Sequence, residues 1–318
     1  MVRIDVDISL QYEVGPSGAD FIFNIQPSNY GRQSVISEEL TISQDLFVLK
    51  HVDPMTGSRT LRMHANPGLL QIQARSLVEI NHLLVEGNTI DELSVMNLPQ
   101  SVLQYLLPSR YCQSDQFYEI ARQEFQHVPL GYLRAQAICE WTQNYLTFTS
   151  GASHSATTAV DVLLSKKGVC RDFAHLMIAV CRALNMPARF TTGTDYGANP
   201  SLGPPDFHAY VEVFVGNRWY LFDPSGTAIP MGVIRLGTGR DAADVPFAMI
   251  FGSVIAATPL VSAIASFNPS ISCYLPYRTA LAISTDPFEN SFYAAPVSAP
   301  LPVVNSNEYL SQLITQAN

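Results

Sequence analysis

Apolar and polar residues alternate almost without error at the front of the chain. Val2, Ile4, Val6, Ile8, Leu10, Tyr12 and Val14 fall on one side, and Arg3, Asp5, Asp7, Ser9, Gln11 and Glu13 on the other. A period of two marks a half-buried antiparallel strand. Gly15-Pro16-Ser17-Gly18 reads as a turn, after which Phe21, Phe23 and Ile25 resume the alternation. Residues 46–52 and 60–64 are further strands, separated by the turn residues Asp53-Pro54-Met55-Thr56-Gly57. Beyond Asn66-Pro67-Gly68, the residues Leu70, Ile72, Ala74, Val78 and Ile80 keep an even-numbered apolar face. Short strands between Gly/Pro turns predict an all-β, sandwich-like domain over residues 1–108.

The period then changes. Ser114 or Asp115 can cap a helix that runs to about His127. A second helix over about 131–148 has apolar spacing at Leu133, Ala137, Ile138, Trp141, Tyr145 and Phe148. A short helix over 157–164 leads into Lys166-Lys167-Gly168. The helix that follows carries Phe173, Met177, Val180, Cys181 and Leu184 on one face and stops at Asn185 and Pro187. Strands return at 188–194, 209–215 and 218–223. Helices followed by antiparallel strands give an α+β order, with the Cys170 helix packed on a sheet.

Composition narrows the class. Apolar residues make up 47% of the chain and charged residues 14%, which builds a large core. The formal charge is −9, from 18 basic and 27 acidic residues, with no basic run. No nucleic-acid partner is therefore expected. The five cysteines show no pairing pattern, and Met1 leads directly into Val2-Arg3-Ile4-Asp5 without a signal peptide. Reduced thiols and a cytoplasmic location follow as expectations. No CxxC or HxxxH is present, and Cys170, His175 and Cys181 match no common metal spacing, so neither metal nor cofactor is expected. Residues 245–267 carry no charge and are long enough to span a bilayer. Pro246, Gly252, Thr258 and Pro259 interrupt them, which predicts two buried strands around a Thr-Pro turn and no membrane partner.

The candidate chemistry begins at Cys170. A cysteine in the first turn of a helix meets the positive end of the macrodipole and unpaired backbone N–H groups. Such surroundings favour the nucleophilic thiolate, and the same N–H groups can bind a tetrahedral oxyanion. A cysteine alone is as readily a buried space-filler; the partners downstream decide. Residues 207–215 and 218–223 read as strands joined by Gly216-Asn217, a two-residue hairpin signal. With that loop, 215 pairs with 218 and paired residue numbers sum to 433. Tyr210 then faces Asp223, and His208 is its diagonal neighbour on the same face. His208 alone would be an ordinary strand histidine, and Asp223 before Pro224 a turn former. Together they can place an imidazole against a carboxylate, the pair a thiol nucleophile needs.

Three blocks carry a resemblance: Gly168-Val169-Cys170-Arg171-Asp172-Phe173-Ala174-His175, Pro205-Asp206-Phe207-His208-Ala209-Tyr210-Val211-Glu212-Val213, and Trp219-Tyr220-Leu221-Phe222-Asp223-Pro224. They resemble those of the bacterial transglutaminase-like proteins, as does Gly239-Arg240-Asp241-Ala242-Ala243-Asp244-Val245-Pro246. The likeness covers roughly residues 115–265. It implies a papain-like α+β core with a catalytic triad of Cys170, His208 and Asp223. The superfamily works through a thioester and includes transglutaminases, thiol proteases and deglycosylating amidases. The calcium of the animal transglutaminases is not carried over, because no EF-hand-like loop or dense acidic cluster is present. Asp172 and His175 recur in the blocks without an assigned chemical step.

The expected organisation is a β domain at 1–108, a transglutaminase-like core at 109–267 and a proline-containing extension at 268–318, with a short helix near 307–316. The expected function is cysteine-dependent acyl transfer on a peptide or protein substrate. The alternative is a binding or scaffold protein that retains the triad. The motifs choose neither between water and amine as acceptor nor an oligomeric state. The second oxyanion donor is expected between Trp141 and Ser155.

Overall fold

The computed structural model describes residues 1–198 and 205–287. The expected helix near 307–316, and all of the extension beyond 287, lie outside the described residues.

The first strand, β1 (Val2–Phe23), organises the front of the molecule. It continues through Gly15–Gly18, where a turn was expected. The extra residues form a bulge, with Gly18 at a φ of 72° and a register shift between Val14 and Ala19. A bulge absorbs surplus residues without ending the pairing. Next come β2 (Gln33–Ile42), β3 (Leu49–Val52), β4 (Arg59–Ala65), β5 (Gly68–Ile80) and the short β6 (Leu83–Val85). On one edge of β1, β5 pairs with residues 2–14 and β4 with residues 19–23, so β4 and β5 form one line. Outside that line, β2 pairs with β5 and β3 with β4.

The helical part contains α1 (Tyr118–Phe125), α2 (Tyr132–Tyr145), the two-residue β7 (Thr147–Phe148), α3 (Ala159–Ser165), the two-residue β8 (Lys167–Gly168) and α4 (Cys170–Ala183). Thr158 and Asp161 close a capping box at the start of α3, with bonds of 2.9 and 3.4 Å. Four strands follow: β9 (Ala188–Thr194), β10 (Phe207–Val215), β11 (Arg218–Phe222) and β12 (Ile234–Gly239), paired in the order β11-β10-β9-β12. The predicted hairpin register holds from Val215↔Arg218 to Val211↔Phe222. Gly216 and Asn217 both have positive φ, at 55° and 62°, as a type I′ turn requires. Buried residues of α4 pack with Ala209, Val211, Val213 and Val215 of β10 in one apolar cluster.

The chain then returns to the front. β13 (Ala248–Ala256) and β14 (Leu260–Ala265) both pair with β1, completing a seven-stranded antiparallel sheet. Last among the described residues is β15 (Ala282–Ser284), which pairs with β6. The front strands make a single sheet; its apolar face is covered by Met231, by Ile234 and Leu236 of β12 in the four-stranded sheet, and by Ile283 of β15. A core bounded at 267 also takes in β13 and β14, whose partner is β1. They are strands around a Thr-Pro interruption as predicted, but they are half-exposed, because a strand at the rim of a sheet is covered on one face only. No described helix is long and apolar enough to cross a membrane.

A buried ion cluster stands behind β10. Glu212 takes a bond from Arg189 Nε at 2.7 Å and another from Arg235, and Arg189 stacks over the Trp219 ring at 4.1 Å. Burial alone would push Glu212 up; the two guanidiniums hold its carboxyl below the usual range. Removing one partner of such a cluster strands charge in the interior, at about 3–5 kcal/mol. Glu212→Gln should therefore lower the thermal unfolding midpoint far more than removal of the exposed Glu119, as differential scanning calorimetry would register.

Candidate active site

The start of α4 is fixed from both sides. β8 runs parallel to β7, and Thr149 N–H donates to the Gly168 carbonyl at 2.9 Å. Val169, extended at φ −109°, precedes the helix and donates its N–H to Asp172 Oδ2 at 2.8 Å. Asp172 is fully buried, so it is a cap that ties down the first turn as well as a partner of the helix dipole. Gly168 is needed for closeness: a Cβ there would lie 2.6 Å from Asp172 Cβ. Arg171 reaches the other way, donating to the His154 carbonyl at 2.8 Å and to Asp172 at 3.2 Å. Cys170, the first helical residue, is left half-exposed as a free thiol. Its backbone N–H stands in the first turn, where helices leave donors without an intrahelical acceptor.

His208 and Asp223 meet just past the last rung of the β10–β11 ladder. His208 Nε2 lies 3.2 Å from Asp223 Oδ1, and both side chains are buried. The Cys170 side chain hydrogen-bonds the same imidazole. All three expected residues are thus brought together. Burial on its own would lower the His208 pKa, but the Asp223 carboxylate and then Cys170 override it and hold the imidazole well above its ordinary 6.5. Burial would raise Asp223; His208, Ser225 and the Ala228 N–H hold it below its ordinary 3.8. The carboxylate is well supplied with donors: Ser225 Oγ at 2.6 Å, Ser225 N–H at 3.2 Å and Ala228 N–H at 3.0 Å. The run Asp223-Pro224-Ser225-Gly226 carried that signal as an Asx-type turn.

Other singled-out residues have structural places. His175 is buried between the rings of Tyr111 and Phe190, at 5.0 and 5.1 Å, and its Nε2 accepts the Ala242 N–H at 3.2 Å. Burial, then Arg171 and Arg182, push its pKa well below 6.5, so it is neutral. Asp241 accepts the Tyr111 N–H at 2.9 Å, and Arg182 donates to the carbonyls of Ala188 at 2.8 Å and Leu107 at 3.0 Å and also to that of Arg240. The fourth sequence block is therefore a clamp on the flank of α4. Among the described residues, no group of three or more His, Cys, Asp or Glu side chains is arranged to hold a metal.

Within the stretch expected to supply a second oxyanion donor, Trp141 is occupied by ring stacking on Tyr145 at 4.7 Å. Gln143 instead reaches the loop after Asp223, where its amide nitrogen would lie 2.0 Å from a Cβ on Gly226. Nothing in the spacing of α2 pointed to Gln143. Asp195 also went unnoticed. Burial raises its carboxyl, and the His208 charge draws it back.

The family model of the transglutaminase-like superfamily core matches residues 120–224. A solved structure of a candidate cysteine protease from Cytophaga hutchinsonii is 30% identical, superposes with a TM-score of 0.82, and is covered over 97% of its length by 89% of this chain. An uncharacterized protein of Mycobacterium leprae is 29% identical over 114 residues, 34% of this chain and 40% of that protein. One of Mycobacterium tuberculosis is 35% identical over 111 residues, 31% of this chain and 35% of that protein. The chain spans well under half the length of these curated relatives. The Cytophaga protein, by contrast, is matched from end to end, front sheet included, and on that ground the chain belongs to the transglutaminase-like superfamily.

Proposed function

We propose that the protein is a cysteine-dependent acyl-transfer enzyme acting on amide bonds of peptides or proteins, as a thiol protease or amidase or as a transglutaminase-like enzyme. One observation carries the reading: a single buried imidazole bonded both to Asp223 and to a helix-starting cysteine. Cys170 gives its proton to His208 and attacks the amide carbonyl carbon as a thiolate, forming the C–S bond as the C=O π pair moves onto oxygen. The oxyanion of the tetrahedral intermediate faces the Cys170 N–H. His208, kept protonated by Asp223, gives its proton to the leaving amine as the C–N bond breaks, and a thioester remains. Water or an amine then attacks the thioester. His208 takes the incoming proton, the carboxylic acid or new amide departs, and the sulfur is restored. Asp223 holds the imidazole in orientation and stabilises its charge. The free cysteines fit a reducing, cytoplasmic setting.

Trapping distinguishes this reading from a scaffold role. A peptide library, incubated with and without added amines, should leave an acyl mass on Cys170, and alkylating probes should label Cys170 ahead of the other cysteines. The products formed with amine tell hydrolysis from transfer. Uniform labelling, full activity of Cys170→Ala, or a stable captured partner without any acyl-enzyme would point to binding instead.

The His208–Asp223 pair sets a pH dependence. A raised imidazole pKa stabilises the fold fully below 6.5 and loses that contribution as pH rises through the folded value. A depressed carboxyl pKa stabilises it above 3.8 and loses that contribution as pH falls through the folded value. Both contribute in full between 3.8 and 6.5. Asp223→Asn removes the charge that raises His208 and leaves burial to lower it. The alkaline limb of kcat/KM should then move to lower pH, with kcat falling at least about a hundredfold, the scale of lost general acid–base catalysis. An unmoved limb would separate Asp223 from His208.

A further inference from the structure

The front sheet consists of four long lines of strand. β2 and β3 form one edge, β4 with β5 and then β1 fill the middle, and β13 with β14 form the other edge. Among the described residues, β13 and β14 pair only with β1, so their outer side carries no partner strand. The two edges differ in chemistry. The β2–β3 edge carries Glu38, Glu39, Lys50 and His51 and a bulge between Val35 and Ser37. Charges and bulges are the devices by which edges refuse another strand. The β13–β14 edge has none of those charges: residues 245–267 contain no Asp, Glu, Lys or Arg. Beside the exposed Ser253, its solvent-facing side chains include the large apolar Phe251, Ile255, Leu260 and Ile264, between 57% and 76% exposed. They stand beside Asp20, Glu13, Ser9 and Asp5 of β1, on the sheet face that is polar elsewhere.

We propose that β13 is the seam of a homodimer, in which it pairs antiparallel with β13 of a second copy about a two-fold axis and joins two front sheets into one. A row of open backbone donors and acceptors fits another strand. The charge pattern selects which strand. Each chain carries −9 overall, so two copies repel except where neither brings charge, and residues 245–267 are such a stretch. Phe251 and Ile255 of the two copies then form one apolar stripe across the seam. The contact is isologous, so it consumes both free edges and closes as a dimer. Pro259, which lacks an N–H, stands between β13 and β14 and bounds the pairing to β13. The proposal uses none of the residues assigned to the chemistry and stands or falls apart from it.

Sedimentation velocity of the full chain at about 100 µM, a concentration at which mass action favours a micromolar dimer, should give a single species of twice the monomer mass. The double variant Phe251→Lys/Ile255→Lys places charge on exposed positions and should sediment as a monomer with unchanged far-UV circular dichroism. Ile255→Val should remain dimeric. Hydrogen exchange at 248–256 should slow as wild-type concentration rises and stay constant in the lysine variant. A monomeric wild type would overturn the proposal, with protected edge amides then indicating a cover from within the chain. So would a dimer that survives both lysines.

Discussion

A buried carboxylate governs the site. Asp223 is out of water yet remains charged because four groups face it: His208, the Ser225 hydroxyl and two backbone N–H groups. An ionised carboxyl in such a place would be untenable without them. Its charge in turn holds a proton on an imidazole that burial would strip. The protonated ring then sits beside the Cys170 sulfur at the head of α4. Each state depends on the previous one, and the chain begins in the segment from Asp223 to Ala228.

The flank of α4 shows how the rest of the sequence serves that contact. Cys170 has to stay within reach of an imidazole on another element, so α4 cannot slide or roll. Asp172 and Gly168 fix its first turn, His175 binds it to Ala242, and Arg182 binds its last turn to three surrounding segments. Asp172, Gly168 and His175 lie in the same sequence block as Cys170. A neutral buried histidine and a buried arginine that donates mainly to carbonyls are rigid joints, since each would leave unmet polar groups if it moved.

Much of this was legible in the residues. The two-residue alternation of β1, the Gly216-Asn217 hairpin and the helical spacing after Cys170 are local signals, and each appears where its period placed it. The Gly216-Asn217 hairpin register alone sets His208 beside Asp223. Other features were not legible, for physical reasons. β2 is an edge strand with most side chains in water, so its alternation is faint. β12 contains Gly237 and Gly239, a residue type depleted in strands; a Cβ at Gly239 would lie 2.5 Å from Asp244. The role of Gly168, to let Asp172 approach, likewise has no local signature. The pairing of β13 and β14 with a strand more than two hundred residues earlier has no local signature at all. Nor does the approach of Gln143 to Gly226, which depends on how α2 is set against a loop from another element.

That long-range pairing has a consequence for synthesis. β1 leaves the ribosome ahead of the other described strands but lacks its second neighbour until residue 265 has emerged, after Cys170, His208 and Asp223. At about 5–20 residues per second the wait is roughly 10–50 s. During it the nascent chain exposes an unfinished β-edge, an invitation to chaperones or to neighbouring polysomes. Cys170 and His208 are both made within that interval, while the front sheet is still open. Completion of β14 therefore comes after Cys170, His208 and Asp223 have been made.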